Sequence, residues 1–473
     1  MLKDPQIKIV TNKGKQVAKA FLSCGLPACE IIDVIITEKL IANGEADFHV
    51  MNLKTVLKRH GFSEGLERSM VITRLVDVWC QQEALIKSCG LETIFDIEIR
   101  LIWITAKIES TGIGIDVEAL LEFHDVLTDK LKNLAAVLEK IIPEGISLND
   151  RFKIKEHLNS TYSLSLAEIN EESIKTISNA DIRTLCCNLL EYWKTVREIR
   201  DVEYYMSITG VDDRVRDSID QLNTKTGRFY RRLQTVQKTG PMRSLFRARK
   251  GYKFIVSDYS QQEARIIAGL SRDQVAIDLF KAGKDIYLET AKIILGPTGD
   301  NPLYRNLGKE IFLGLNNGRS AYSIYESLER LGFGYDVDDV LGMILRYDMT
   351  FAGIKTWRDN IVSTNLEGGV ISTALGRTLK ISNDVKVNSL YNYPVQGTAA
   401  DGFKLALIDL NDLLAGKDAR VVHILHDEVI VEATVDIVDS VAVTVKDCME
   451  KAFNDILPEV PFVVKPEIRD SWG

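Results

Sequence analysis

The chain of 473 residues lacks the features that mark membrane, secreted and zinc-binding proteins. No run approaches the ~18 consecutive apolar residues that a membrane-spanning helix needs, and the opening segment lacks the basic-then-apolar layout of a signal peptide. The seven cysteines form no CxxC motif, and the histidines show no metal-ligand spacing. We therefore expect an intracellular protein with reduced thiols, no structural zinc and no membrane association.

Acidic residues are absent from one long segment, although the whole chain carries a net charge of −8. Residues 225–253 contain ten Lys or Arg and no Asp or Glu. Such a block can neutralise several phosphates and release their counterions. A solvated basic face is the alternative explanation, so the block alone leaves a nucleic-acid partner open. The remaining composition, 45% hydrophobic and 27% charged, is that of a globular chain of about three domains.

Helical and strand patterns alternate along the chain. Long amphipathic stretches predict helices over 116–142 and 182–205, and a second helix-rich stretch spans 274–366. Compact apolar runs predict strands over 253–257, 420–425 and 429–431. The pattern therefore predicts one sheet assembled from two distant segments, with a helical domain inserted between them.

Carboxylates stand at two predicted strand ends. Asp258 closes the first strand, and Asp427 and Glu428 follow His426 at a tight turn between the later two. Two strand ends of one sheet can bring carboxylates to the ~4 Å metal spacing of an in-line phosphoryl-transfer site, where hard oxygen ligands suit Mg²⁺. Hairpin turns also carry Asp for structural reasons alone, so neither position is decisive by itself.

A third candidate site lies on a helix of the inserted domain. Asp300, Asn301 and Pro302 predict its start, and the segment 316–318 (Asn-Asn-Gly) predicts its end. Arg305, Lys309 and Leu313 recur every four residues and so share one face. Two cations on one stripe can bind a triphosphate while the next turn packs against a base. A solvated amphipathic face is again the alternative.

Taken in order, these motifs resemble those of the family A DNA polymerases, the bacterial DNA polymerase I family, in a divergent and phage-like form. The segment 258–263 (DYSQQE) is similar to the first motif, Arg305-xxx-Lys309 to the second and His426-Asp427-Glu428 to the third. The likeness covers roughly 90–473. Supporting signatures occur in the same order: Thr226-Gly227-Arg228, Arg243 with Phe246, Asp285-Ile286-Tyr287, 373–377 (TALGR), 392–401 (NYPVQGTAAD), Val460-Pro461-Phe462 and Trp472-Gly473.

The resemblance implies an α+β fold, a right-hand polymerase with a palm sheet and a helical thumb and fingers. A truncated, degenerate 3′–5′ exonuclease-like region would precede it. The implied domains are the exonuclease-like region at 1–92, the thumb at 93–215, the first part of the palm at 216–290, the fingers at 291–385 and the second part of the palm at 386–473.

The resemblance also implies a role for each motif residue. Asp258 and Asp427 would hold two Mg²⁺ ions, or Mn²⁺ as a substitute, with the Tyr259 carbonyl completing one shell. Lys309 would protonate the leaving pyrophosphate, and Glu428 would be a nearby catalytic carboxylate of lesser role. Glu263 would exclude a ribose 2′-hydroxyl. The implied nucleotide-binding set is Arg305, Lys309, Leu313, Glu263, Gln261, Asn317 and Tyr287, and the implied DNA-binding set is Arg228, Arg243, Asn392, Gln396 and His426.

The implied activity is template-directed DNA synthesis in replication or repair, in the cytoplasm of a bacterial or phage-infected cell. Its partners would be primer–template DNA and dNTPs, with a separate exonuclease polypeptide or processivity factor as a further candidate.

Several positions depart from the family pattern. Leu313 and Asn317 replace aromatic residues, Tyr287 replaces a His and Asn388 replaces an Arg. None of these changes removes a predicted metal ligand or the triphosphate clamp, so we expect activity to survive. Two missing rings should weaken stacking around the base pair, which would lower fidelity or alter the discrimination against nucleotide analogues.

The N-terminal segment also departs from the exonuclease pattern. Asn12, Asp33 and Asp77 fit it, but Gln16 stands in an Asp position and Thr73 in a Tyr position, and no Asp-x-Glu motif precedes them. We therefore predict no proofreading by this chain alone.

Two other functions compete with DNA synthesis. The first is a replisome or DNA-binding scaffold with a decayed or partner-dependent polymerase centre, which the joint retention of Asp258, Asp427, Arg305 and Lys309 disfavours. The second is a single-subunit RNA polymerase, which Glu263 and the 392–398 segment disfavour. A translesion or gap-filling role stays open.

Overall fold

The computed structural model of the protein describes residues 7–62, 68–238, 240–365, 368–382 and 385–473. They fall into two compact units. The first unit comprises Met1–Gly112, Asp217–Val236 and Arg249–Asp470, and the second comprises Ile113–Arg216, Gln237–Ala248 and Ser471–Gly473. Within the described ranges, every helix is too short or too polar to cross a membrane.

The first unit opens with a small parallel sheet. Strand β1 (Lys8–Thr11) pairs with β2 (Glu30–Asp33), and helix α1 (Gly14–Ser23) makes the crossover that parallel strands require. Four helices follow: α2 (Val34–Ile41), α3 (Leu53–Arg59), α4 (Arg68–Cys89) and α5 (Glu92–Thr111).

The acidic residues that resemble exonuclease positions have local partners. The Asp33 carboxylate accepts hydrogen bonds from the backbone N–H groups of Gly14 at 2.7 Å and Ile35 at 2.9 Å, and so caps α2. Burial raises the pKa of Asp33, which these bonds partly oppose. Asp77 is half-exposed on α4 and pairs with Arg74 at 2.8 Å. Asp33 therefore has a structural task in this fold.

The second unit is mainly helical. A short antiparallel pair joins β3 (Ile113–Gly114) to β4 (Arg214–Val215). The helices predicted over 116–142 and 182–205 are confirmed as α6 and α9, whose apolar faces form one core with residues such as Leu189 and Trp193. The helices are α6 (Val117–Leu138), α7 (Arg151–Tyr162), α8 (Glu171–Lys175), α9 (Ala180–Ser207) and α10 (Met242–Leu245).

The rest of the first unit is a sheet interrupted by helices. Its elements in chain order are β5 (Tyr252–Asp258), α11 (Gln262–Ser271), α12 (Gln274–Lys281), α13 (Ile286–Leu295), α14 (Arg305–Asn316), α15 (Ala321–Arg330), α16 (Val337–Thr350), α17 (Ala352–Asn365), β6 (Gly369–Ser372), β7 (Thr378–Ile381), α18 (Val387–Leu413), β8 (Ala419–Leu425), β9 (Glu428–Thr434), α19 (Val438–Ile456) and β10 (Glu467–Arg469).

The four-stranded sheet has the order β10-β5-β9-β8, and every pair is antiparallel. All three predicted strands are confirmed, and β5 lies beside strands that follow it by more than 150 residues. The helices α18 and α19 pack together, and their apolar side chains join those of the sheet in the largest core of the unit. The predicted sheet from two distant segments with helices between them is therefore confirmed.

The predicted start of the helix that carries Arg305 and Lys309 is wrong. Asp300 and Pro302 lie in two 3₁₀ turns, Gly296–Asp300 and Pro302–Tyr304, and α14 begins only at Arg305. The Asn301 side chain does cap, but it accepts from the N–H of Leu303 within the short turn. A capping residue followed by proline suits a 3₁₀ turn as well as an α-helix, so the pattern placed the start too early. The predicted end at residues 316–318 is confirmed.

The core of the first unit contains a buried ion network that the sequence did not reveal. Arg377 lies between Glu98 of α5 at 2.6 Å and Asp401 of α18 at 2.7 Å, and Lys404 also contacts Glu98. All four side chains are at most 2% exposed. Burial lowers the pKa of Lys404 to about 8, although Glu98 acts to raise it. Charges buried this deeply persist only when partners neutralise them.

We predict that Glu98→Ala destabilises the protein by about 3–5 kcal/mol, because it leaves two buried cations without their shared carboxylate. Urea denaturation measures this change. The matched control is Glu83→Ala, which removes an exposed carboxylate of α4 that pairs with Lys87 at 3.4 Å, and it should change stability by less than about 0.5 kcal/mol. Equal effects of the two substitutions would show that the network contributes nothing.

Candidate active site

Three acidic residues meet at one end of the four-stranded sheet. Asp258 is the last residue of β5 and Glu428 the first of β9, and the register places them directly opposite each other. Cross-strand partners of this kind have Cα atoms roughly 4.5–5.5 Å apart. Asp427 lies in the two-residue turn between β8 and β9, beside His426, whose φ of 52° is in the left-handed region. The register and the turn therefore place the three acidic residues predicted from the sequence at the same end of the sheet.

Tyr259 anchors the chain immediately after Asp258. Its phenol donates to the carbonyl of Met449 on α19 at 2.8 Å, and the next residue, Ser260, donates its N–H to Val463 at 2.9 Å. Burial raises the pKa of Tyr259 well above its usual value, and the negative charge of Asp427 acts in the same direction. The backbone that follows β5 is thus held firmly beside the acidic cluster.

The donor atoms at this sheet end fit a hard divalent cation. Among the described residues, no three His, Cys, Asp or Glu side chains form a ready-made metal cage. Mg²⁺ seldom uses such a cage, because it binds through one or two carboxylates and takes its remaining ligands from water and substrate phosphates. The carboxylates of Asp258 and Asp427 and the carbonyl of Tyr259 are oxygen donors of this kind.

Arg228 and Glu263 form a second part of the site. Glu263 lies in the first turn of α11, and its Oε1 accepts a hydrogen bond from Nη2 of Arg228 at 3.0 Å. Gln261, two residues earlier, has a φ of 56°, and its Oε1 accepts from the N–H of Ile286 at 3.3 Å. The start of α11 is therefore tied both to Arg228 and to the first turn of α13.

The third part is the pair of helices α13 and α14. Asp285 caps α13 by accepting from the N–H of Tyr287 at 3.0 Å, and its other oxygen accepts from Nε of Arg305 at 2.8 Å. The guanidinium of Arg305 also lies 5.2 Å from the centre of the Tyr287 ring. Burial raises the pKa of Tyr287, and Glu263 contributes to the shift. Arg305, Tyr287 and Glu263 are thus close neighbours.

Lys309 lies one turn after Arg305 on the same face of α14. It is exposed, and it has no ion pair among the residues that the structure describes. Leu313, another turn on, is partly buried against the core, and Asn317 caps the helix. The predicted stripe of two cations followed by an apolar residue therefore exists on the folded helix.

Gly308 allows α14 to pack directly on α13. A Cβ atom at this position would lie 1.9 Å from the carbonyl oxygen of Tyr287 and 2.9 Å from the nitrogen of Ala291. No side chain fits in that space without moving one of the helices. The glycine between Arg305 and Lys309 is therefore what brings the cationic stripe close to Asp285.

Asn392 and Gln396 lie one turn apart on α18 and are both partly exposed. The Oδ1 atom of Asn392 is buried and accepts no hydrogen bond from the described part of the protein. Buried acceptors are nearly always satisfied, so an orphan of this kind is a common mark of a ligand site. Pro394 lies between the two residues and removes one helical donor.

The basic block of 225–253 is divided by the fold. Arg243, a predicted DNA contact, belongs to the second unit, where it is buried with its guanidinium 4.2 Å from the Trp472 ring. Several other cations of the block pair with carboxylates of the protein: Arg231 with Asp217, Arg247 with Asp116, Arg249 with Asp418 and Lys253 with Asp470. Fewer of its charges thus remain available for phosphate than the composition indicated.

One participant was missing from the predicted site. Asp285 was noted only as part of a motif, yet it both caps α13 and pairs with Arg305. Its signal in the sequence was an Asp directly before an apolar helical run, which predicts a cap but cannot predict a partner twenty residues away.

Comparison with known proteins decides the family. The family model described as DNA polymerase family A matches residues 117–473, well over half of the chain. The chain belongs to DNA polymerase family A. The predicted resemblance is thereby confirmed.

Individual relatives agree with this family assignment. DNA polymerase I of Aquifex aeolicus is 29% identical over 399 residues, which cover 80% of this chain and 67% of that protein. The thermostable DNA polymerase I of Thermus aquaticus is 26% identical over 455 residues, covering 88% of this chain and 53% of the relative. The chain thus spans between about half and two thirds of the length of these relatives.

A solved structure shows the same fold. The POL domain of Pol1 from M. smegmatis, in complex with DNA primer-template and dNTP, has a TM-score of 0.88 and 22% sequence identity to this family A chain. The match covers 100% of this chain and 87% of that one. The predicted fold class, an α+β right-hand polymerase, is confirmed by this match.

We predict that Gly308→Ala forces α13 and α14 apart, costs about 1–3 kcal/mol and lowers the affinity for nucleotide, because Arg305 loses its position beside Asp285. Thermal unfolding and nucleotide titration measure the two effects. The matched control is Gly342→Ala on α16, where the nearest atom to a new Cβ is 3.7 Å away. It should be neutral or stabilise by up to about 1 kcal/mol. A Gly308 variant that behaves like the control would refute the packing argument.

Proposed function

We propose that the chain is a DNA-directed DNA polymerase, a nucleotidyltransferase that adds dNTPs to a primer 3′-hydroxyl in DNA replication or repair. The observation that carries this proposal is the in-register pairing of Asp258 with Glu428 beside Asp427 at the sheet end. Family membership supports the same reaction class.

The acidic cluster would serve an in-line phosphoryl transfer. Asp258, Asp427 and the Tyr259 carbonyl would hold two Mg²⁺ ions, which when bound supply charge neutralisation and a more acidic primer hydroxyl. Glu428 lies beside them as a further carboxylate. Mn²⁺ prefers the same oxygen donors and would substitute.

The α14 stripe would bind the triphosphate of the incoming nucleotide. Arg305 is already oriented by Asp285 at 2.8 Å, so its guanidinium is positioned before the nucleotide arrives. Lys309 presents its ammonium one turn further on, where it would donate a proton from Nζ to the leaving pyrophosphate. Leu313 and Asn317 would contribute a less aromatic surface next to the base.

Glu263 would exclude a ribose 2′-hydroxyl. Its carboxylate is held by Arg228 at 3.0 Å, and Gln261 ties the same turn to α13. A side chain fixed in this way can reject a larger sugar, which a mobile one could not do. We therefore propose dNTPs rather than NTPs as substrates, with Tyr287 packed behind the sugar site.

Primer–template DNA would be the second partner. The structural relative was solved with primer-template and dNTP, which supports both partners for this chain. Arg228, Asn392, Gln396 and His426 would contact the primer end or the nascent pair, and the orphan Oδ1 of Asn392 is an acceptor suited to such a ligand. The resemblance also implies a DNA contact by Arg243, which stays a prediction, because this side chain is buried against the Trp472 ring in the second unit.

We predict that the chain extends a primer on a DNA template with Mg²⁺ and dNTPs, at least about 100-fold faster than with NTPs. Asp427→Ala should abolish extension by removing a metal ligand. Asp436→Ala, which removes an exposed aspartate beyond the other end of β9, is the matched control and should keep full activity. A gel assay of primer length measures all of these reactions.

A folded wild-type chain that binds primer–template and extends nothing would refute the polymerase proposal. The scaffold function with a decayed or partner-dependent centre would then be favoured. Equal use of NTPs would instead refute the assigned role of Glu263 and favour an RNA polymerase.

We also propose that this chain alone does not proofread. Asp33 is committed to backbone N–H groups, Gln16 is exposed where a carboxylate would be required, and Asp77 pairs with Arg74. We predict no 3′→5′ degradation of a labelled single strand by the purified chain. Degradation that Asp77→Ala abolishes, but that Asp427→Ala leaves unchanged, would overturn this prediction.

A further inference from the structure

The segment 219–228, which leads into Arg228, is held by side chains from the N-terminal region of residues 7–92. Lys15 donates to the carbonyl of Ile219, and Lys39 donates to the carbonyl of Leu222 at 3.1 Å. Buried carbonyls need partners, and regular secondary structure normally supplies them. Here the partners come from residues almost 200 positions earlier in the chain.

Asn43 makes the third and most extensive of these contacts. It is 5% exposed, and its Nδ2 lies 2.9 Å from the carbonyl of Lys225, 2.7 Å from the carbonyl of Thr378 and 3.0 Å from the phenol of Tyr393. The backbone carbonyl of Asn43 also accepts a hydrogen bond from the N–H of Lys380 at 3.0 Å. One amide therefore joins three segments that are far apart in sequence.

Each of these three segments leads to a predicted site residue or to the buried network. Lys225 precedes Arg228 by three residues, and Tyr393 directly follows Asn392. Thr378 follows Arg377. The predicted primer contacts on the 219–228 segment and on α18 are thus held at a common point.

The turn between Lys225 and Arg228 has little freedom of its own. Gly227 has a φ of 77°, and a Cβ there would lie 2.7 Å from Cζ of Arg377. The turn therefore packs against the Arg377 guanidinium on one side, and its Lys225 carbonyl accepts a hydrogen bond from Asn43. A shift at either support moves Arg228 relative to its partner Glu263.

We infer that Asn43 is a positioning residue for DNA synthesis, and that the exonuclease-like N-terminal region serves the polymerase site by fixing Arg228 and Asn392. This inference rests on the proposed function. Asn43 touches neither nucleotide nor metal in this scheme, and it acts through the geometry of the 219–228 segment and α18.

The first test needs no catalysis. Amide hydrogen exchange of the full chain without DNA is compared for wild type, Asn43→Ala and Asn43→Asp, the last of which replaces the donor by an acceptor of equal size. We expect exchange in 219–230 to accelerate by about tenfold or more in both variants. The matched control is Asn52→Ala, whose bonds to Thr55 and Val50 stay within the N-terminal region, and it should leave 219–230 unchanged.

The second test asks whether the position matters for synthesis. Asn43→Ala should raise the KM for primer–template by about tenfold with kcat within about twofold, since it displaces Arg228 and Asn392, the proposed DNA contacts. In a double-mutant cycle, adding Asn43→Ala to Arg228→Ala should cause clearly less than the tenfold loss that Asn43→Ala causes alone, because both substitutions disturb the Arg228 contact. A general loss of folding would instead lower kcat in proportion to the unfolded fraction.

The outcomes separate the two proposals. Unchanged exchange in 219–230, or fully additive effects of Asn43→Ala and Arg228→Ala, would overturn the positioning role even if the chain is an active polymerase. If the Asn43 variants exchange faster in 219–230 but the wild-type chain extends no primer, the contact made by Asn43 is supported and the proposed function is refuted.

Discussion

The first unit depends on the requirement that Arg377 be neutralised in a core from which water is excluded. Its two carboxylate partners come from α5 and α18, more than 300 residues apart in the chain, and Lys404 shares Glu98. Burying one of these charged side chains without its partners costs free energy. The segments that carry the four side chains must therefore assemble together. The 219–228 segment joins the same assembly, because Gln221 donates to Glu98 at 2.8 Å and accepts from Lys404 at 2.9 Å.

The acidic cluster is built by a different and more local kind of constraint. Strand pairing sets Asp258 opposite Glu428, and the two-residue turn after Leu425 places Asp427 at the same end of the sheet. Backbone hydrogen bonding of the sheet therefore determines the spacing of the carboxylates, while the ion network and Asn43 determine where the Arg228 loop and α18 lie. The acidic cluster and the contacts around it are thus stabilised by separate means.

This difference between local backbone pairing and contacts of distant segments explains which features could be predicted from the sequence. Periodicity and turn residues predicted β5, β8, β9, α6 and α9, and the motif spacing predicted that Asp258, Asp427 and Glu428 would meet, because each of these depends on local backbone preference. The start of α14 was misplaced because Asn301 caps a 3₁₀ turn. The roles of Glu98, Asp285 and Asn43 were out of reach, since ion pairs and amide contacts between distant segments leave no periodic signal. The buried state of Arg231 and Arg243 was hidden for the same reason, because composition counts charges without their partners.

Gly308 also couples the movement of α13 to that of α14. Gly308 places no side chain between α13 and α14, and Asp285 just before α13 pairs with Arg305 of α14. The two helices are therefore expected to move as one rigid unit. Any rotation of α14 must therefore carry the cap of α13 and the Tyr287 ring with it. Through the hydrogen bond between Gln261 and Ile286, that motion is also transmitted to the turn before Glu263, so the proposed triphosphate-binding and sugar-selecting residues would move together.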